Sequence, residues 1–304
     1  MISRRLRSIL KLIFGFALIM LLFVRIDLSS LVKTLITVPL FVILLFFLDK
    51  VINIFMGTMN VKILSDTINK IRLGILAKYY WLSWTIGMVS PGKIGEFSIL
   101  FFLKKHKITL GEGLAISIID KMITLSSLMV ISSFIFYLLI PKITVLKIIL
   151  IVSLIIFLMF GMIISDKVRH FIKKYLIRKH SSRLLGFNRA FRNLIFNHNL
   201  RIFINFFLTV LKWLITSFIT FIAVNYMGQK IGFISIFIIV CASMLISMIP
   251  ISINGLGIRQ LTFVGLMGRF GVSEEVAFSL SILSLMMGYL VALMSLPLIK
   301  SKIN

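Results

Sequence analysis

The chain has 304 residues, 60% of them hydrophobic and 14% charged, and a mean hydropathy of +1.10; a soluble domain has no interior large enough to hide that much apolar surface. Its 34 Lys and Arg against nine Asp and Glu leave a formal charge of +25. In a soluble protein this surplus points to nucleic acid, but in a bilayer protein it marks cytoplasmic loops, so nucleic acid is set aside as a partner.

Along the chain, Arg4, Arg5 and Arg7 precede an apolar stretch and mimic a secretory signal, but the stretch ends in Val24-Arg25-Ile26-Asp27 without a small-residue cleavage site. It is read as a retained first helix. Apolar runs over 6–24, 35–55, 114–140, 143–164, 202–226 and 276–299 predict six full spans, each close to the roughly 20 residues that cross a hydrocarbon core. Two further apolar regions are interrupted: 75–103 by Ser90-Pro91-Gly92-Lys93-Ile94-Gly95-Glu96, and 234–267 by a stretch running from Pro250 to Gln260. The arm after the first interruption, 97–103, would reach only about 10 Å as a helix. Both regions are therefore expected to be re-entrant hairpins that enter and leave on one side. The predicted fold is all-α: a single transmembrane domain, 1–304, with six full transmembrane helices plus two re-entrant broken-helix hairpins.

The basic residues orient this drawing. With the N-terminus inside, 23 of the 34 Lys and Arg fall on the cytoplasmic side, ten of them in the loop 165–201, against six outside and five within spans or breaks. Both termini are thus expected in the cytoplasm, and the location is a cell membrane, multi-pass. Tyr79, Tyr80, Trp81 and Trp84 would form an aromatic belt at the inner interface. The order span, span, hairpin, span occurs twice, the second time inverted, which suggests an inverted repeat with halves 1–140 and 141–304. A shift of 162 pairs Glu112-Gly113-Leu114-Ala115-Ile116-Ser117 with Glu274-Glu275-Val276-Ala277-Phe278-Ser279, Ser90 with Ser252 and Gly95 with Gly257.

Non-helical backbone at membrane depth is tolerated only inside protein or along a wet cavity, so both breaks mark a candidate site. Gly92 and Gly95, with Gly255 and Gly257, would free backbone N–H groups for phosphate, Lys93 would add charge, and Arg259 a bidentate contact; the competing reading is a structural kink in which Glu96 neutralises Lys93 or Arg259. Ionisable residues inside spans are functional candidates by default. These are Asp120 and Lys121 in one span and Lys212 in another, with Glu96 and Asp120 balancing charge or relaying protons, or else Asp120 pairing with Lys121 or Lys212 in a buried neutral cluster. Asp49 and Lys50 lie nearer a span end and are expected to snorkel.

Signals for soluble chemistry are poor. His106, His170, His180 and His198 sit in basic loops without carboxylate or cysteine partners and read as solvated, so neither a metal nor another cofactor is expected. Cys241 lies alone in an apolar run, which excludes an intramolecular disulfide. Gly-x-Ser-x-Gly, Walker, HExxH and CxxC patterns do not occur. The loop 165–201 alternates basic and apolar residues, among them Phe187, Phe191, Leu194 and Phe196, as an interfacial amphipathic helix on anionic headgroups would.

Ser-Pro-Gly-Lys-Ile-Gly-Glu at 90–96 resembles the Pro-Gly-Arg-x-Gly-Glu of the lysylphosphatidylglycerol synthase transmembrane-region family of flippase-like membrane proteins. Asn254-Gly255-Leu256-Gly257-Ile258-Arg259-Gln260 resembles that family's Gly-Gly-Leu-Gly-x-Arg-Glu. The chain departs from the pattern in Lys93 for Arg, Gln260 for Glu, and Ile119-Asp120-Lys121 with Thr124 where the family has Glu-Arg followed by Asp. The resemblance implies a stand-alone member without the soluble synthetase domain. It further implies lipid transport: binding and translocation of an anionic phospholipid or lipid-linked headgroup. The alternative is a membrane component or enzyme of lysylphosphatidylglycerol or lipid-linked glycan synthesis, working with a membrane-bound or soluble enzyme partner; enzymatic activity of the chain itself is left open.

Overall fold

The computed structural model describes residues 36–139 and 186–300, with Leu18, Met20, Thr34, Ile151 and Leu154 as isolated positions. The spans expected over 6–24 and 143–164 lie outside the described residues, as do His170 and His180. Everything described is helix, turn or loop, apart from one isolated bridge between extended residues.

Four helices are long and apolar enough to cross a membrane, and they coincide with the other four expected spans: α1 (Leu40–Ser65), α4 (Leu110–Leu139), α6 (Asn199–Tyr226) and α9 (Glu274–Leu293). Their starts follow from local chemistry. Pro39 opens α1 with an extended backbone and a free carbonyl that accepts from Val42 and Ile43. Thr109 and Glu112 cap α4 reciprocally, the Glu112 carboxylate accepting from the Thr109 N–H at 2.8 Å and the Thr109 hydroxyl from the Glu112 N–H at 3.3 Å. Ser273 caps α9 through the Val276 N–H.

The two interrupted regions fold differently from the spans. α2 (Leu73–Met88), 16 residues long, runs into the first break. A 3-10 turn (Ile94–Ser98), a five-residue helix α3 (Ile99–Leu103) and another 3-10 turn (Lys104–His106) follow it. The turn lies back on α2: a Cβ on Gly95 would strike the Ile86 carbonyl, and one on Gly87 would sit 2.6 Å from Glu96 Cγ. The second region is α7 (Phe233–Ser247), a break, and α8 (Ile258–Arg269), which packs back on α7. Between the two, α5 (Phe187–Asn197) is a short amphipathic helix; a last turn, α10 (Pro297–Lys300), follows α9.

Apolar packing is split into two main clusters. Val38, just before α1, and Val42 and Phe46 of α1 pack with α7, α8 and α9 and the end of α6. Ile54, Val61 and Leu64, further along α1, pack with α2, α3, α4 and α5. Phe191 and Leu194 of α5 are buried in the second cluster, while Arg189 and Arg192 face outward. Asp49, Lys50 and Asn53 of α1 fall between the clusters, where the two breaks meet.

Two expectations change here. Tyr79 and Tyr80 are 1% and 8% exposed, so they are core residues and not a lipid-facing belt. Trp81 donates its indole N–H to the Val291 carbonyl at 3.0 Å. The four aromatics occupy successive faces of one helix, and tertiary packing takes those that a belt would need. His106 is likewise not free in solvent: its Nε2 lies 3.0 Å from the Tyr79 hydroxyl.

Candidate functional site where the two breaks meet

Each break turns on two consecutive residues in left-handed backbone, Gly92 and Lys93 in the first (φ 55° and 58°) and Asn254 and Gly255 in the second (φ 49° and 71°). Lys93 is the unusual one, because a long side chain is held where glycine is favoured. The breaks then clasp each other. Pro91 and Ile253 form an antiparallel bridge, the Asn254 N–H donates to the Ser90 carbonyl at 3.0 Å, and the Asn254 amide reaches Met88 Sδ at 3.1 Å.

Beside this clasp lies a cavity of about 160 Å³. Gly92, Lys93, Glu96, Asn254 and Arg259 reach it from the breaks, Lys121 from α4, and Lys212 and Trp213 from α6. Asp49, Lys50 and Asn53 come from α1, Tyr80 and Trp84 from α2, and Ser284 from α9. The structure therefore brings Gly92, Lys93, Glu96, Lys121, Lys212 and Arg259 together. Asp120 stands behind Lys121, 3.3 Å from its ammonium, and 3.5 Å from the Asn205 amide.

The other three glycines expected at the site, Gly95, Gly255 and Gly257, do not line the cavity. The Gly95 N–H is taken by the Ser90 hydroxyl at 2.7 Å, and the Gly257 N–H by Gln260 Oε1 at 2.9 Å. A Cβ on Gly255 would meet the Ser247 backbone at 2.7 Å. These positions hold the break backbones close to their neighbours. The arm behind Lys93 begins as a 3-10 turn and not as a long helix. Gln260 has a use that needs no negative charge, since its amide oxygen caps α8.

Ion pairing runs across elements. Glu96 is bonded to Lys121, not to Lys93 or Arg259. Asp49 and Lys50 form a buried pair at 2.6 Å, and Lys50 continues to the Ser284 hydroxyl at 2.9 Å. Asp49 also accepts from Asn53 and Thr216, at 2.8 and 2.7 Å. This corrects the expectation that Asp49 and Lys50 snorkel; they are 1% and 7% exposed and point into the bundle. Their distance from the span end hid this, although Asn53, one turn on along the same face, was an available signal.

Three cations are left. Among the described residues, Lys93, Lys212 and Arg259 have no carboxylate within salt-bridge reach. Arg259 is 3.3 Å from the Ser284 hydroxyl, and the Lys212 ammonium lies 4.7 Å from the Trp213 ring centroid. The buried Trp213 indole N–H has no acceptor. Unpaired cations, one buried and two partly buried, are costly unless an anion joins them; the arrangement is a receptor for negatively charged oxygen. No group of metal-binding side chains occurs among the described residues.

A comparison with curated proteins finds no match. The family model for the lysylphosphatidylglycerol synthase TM region matches residues 8–295, nearly the whole chain and both breaks, and the chain is a multi-pass membrane protein that belongs to this family.

Proposed function

We propose that the protein binds an anionic phospholipid or lipid-linked headgroup in the cavity between the breaks and carries or presents it across the cell membrane, as a flippase would. The observation that carries this reading is charge. Five cations line the cavity against the carboxylates of Asp49 and Glu96, and Asp120 behind Lys121 is the only further one in contact among the described residues.

In this reading the two interrupted regions are re-entrant and both termini are cytoplasmic, with 23 of 34 basic residues on that side. The inverted repeat gains support from backbone conformation: the shift of 162 that pairs Ser90 with Ser252 also pairs Gly92-Lys93 with Asn254-Gly255, the left-handed residues of each break. A repeat interface is where transporters place discontinuous helices and their substrate. The family's description as part of a synthase favours a second reading, a membrane component that hands lipid to or from an enzyme partner.

Lys93→Gln and Arg259→Gln should each weaken retention of anionic lipid about tenfold or more, since a charged hydrogen bond contributes about 1.5–3 kcal/mol. Native mass spectrometry with a panel of lipids measures this. Unchanged retention in both variants, folded as judged by monodisperse elution, would show that the charges are structural.

A further inference from the structure

Resting on the reading just given, we infer that the cavity is built for a phosphomonoester dianion and not for the monoanionic phosphodiester of ordinary phospholipids. Two observations point the same way, the net charge of the cavity and the directions from which its unpaired donors come.

The charges around the cavity do not cancel. Lys50, Lys93, Lys121, Lys212 and Arg259 oppose Asp49, Glu96 and Asp120, which leaves a surplus of two positive charges among the described residues. A low-dielectric site is stable when its net charge is balanced. A phosphodiester brings one negative charge and leaves the site unbalanced, whereas a phosphomonoester near neutral pH carries about −1.5 to −2. The unpaired donors are also separate: Lys93 comes from the first break, Arg259 from the second, and Lys212 with Trp213 from α6. A terminal phosphate with three unesterified oxygens can meet donors from three directions, and a diester has only two such oxygens.

Trp213 contributes on this reading as a positioning residue: its ring holds the Lys212 ammonium beside the site.

The same dianion occurs on a monoester lipid and as free inorganic phosphate, and one competition experiment separates the sources. The full-length protein is equilibrated with equimolar phosphatidic acid and phosphatidylglycerol of matched chains, with and without inorganic phosphate, and the retained lipids are counted by native mass spectrometry. The expected result is a preference of about tenfold for phosphatidic acid. It should fall toward unity in Lys212→Gln, which removes one surplus charge, and by a few-fold in Trp213→Leu, which removes the ring that holds the Lys212 ammonium. A ratio within one sample is insensitive to partial unfolding. Displacement of phosphatidic acid by millimolar inorganic phosphate would keep the monoester chemistry and make free phosphate its source. Equal retention of both lipids, still lost in Lys93→Gln, would overturn the dianion while leaving the anionic-lipid reading intact. Retention of neither lipid above phosphatidylcholine would overturn both.

Discussion

The two breaks share a backbone device and differ in everything hung on it. Each places two successive residues in left-handed conformation and folds its second arm back on its first. In the first break the second left-handed position is Lys93, and the returning arm is a 3-10 turn that carries Glu96 into a bond with Lys121 of α4. In the second break that position is Gly255, pressed on Ser247, and the returning arm is the 12-residue α8, capped by Gln260. Both breaks are packed within themselves, but the first is also tied from outside by an ion pair, while the second relies on packing and a neutral cap. Its one charge, Arg259, has no carboxylate partner among the described residues. A charge that does not hold the structure is free to be spent on a ligand.

The sharpest way to break this comparison is to remove charge from each side. Glu96→Gln strands Lys121 with only Asp120, and losing the charged hydrogen bond of this partly buried pair should cost about 2–3 kcal/mol. Arg259→Gln deletes a cation with only a hydroxyl contact at 3.3 Å, so its cost to folding should stay below about 1 kcal/mol although ligand retention falls. Chemical denaturation in micelles measures both. Equal costs at the two sites would erase the distinction between a structural and a free charge.

Backbone substitution tests the packing half of the contrast. Gly255→Ala places a Cβ at positive φ and against the Ser247 backbone, which should cost about 1–3 kcal/mol from conformational strain and more if α7 and α8 must separate. Lys93→Gly at the equivalent turn position relieves the same strain and should not lower thermal stability in detergent. If Gly255→Ala unfolds at the wild-type temperature, the second break is not held by close approach.

How much of this was legible beforehand depends on range. Interruptions of apolar runs by Pro, Gly and charge are local signals, and they located both breaks; run length located the four described spans. That Lys93, Lys121, Lys212 and Arg259 share one cavity depends on tertiary contacts that no local window holds. The pairing of Glu96 with Lys121 was missed for that reason, since Lys93 is nearer in sequence. Asp49 and Lys50 were misjudged because depth was inferred from distance to a span end, and α1 continues to Ser65, ten residues past the expected boundary at Phe55. Their true position is mid-helix. Gly95, Gly255 and Gly257 looked like phosphate-binding backbone because glycine signals both exposed N–H groups and close packing, and only coordinates tell the two apart.

The smallest expected effect concerns Gln260, where this chain departs from the Glu of the family pattern it otherwise resembles. Gln260 is 1% exposed, and its side-chain oxygen accepts the Gly257 N–H at the start of α8. That N–H is one of the orphan donors of a helix N-terminus. Gln260→Ala deletes the acceptor inside the protein and should cost about 1 kcal/mol, the usual loss for a helix cap. Gln260→Glu keeps an acceptor of the same length at an end of the helix that favours negative charge by about 0.3–1 kcal/mol, which offsets part of the desolvation of a carboxylate. The Glu variant should therefore lie between wild type and the Ala variant in thermal stability. Its effect on lipid is the more informative reading: a carboxylate beside Arg259 lowers the positive surplus by one, so anionic lipid should be retained less well with the fold intact. Glu at this position with undiminished retention would mean that α8 bears on the site through its cap alone, and that Arg259 does not sense the charge of its neighbour.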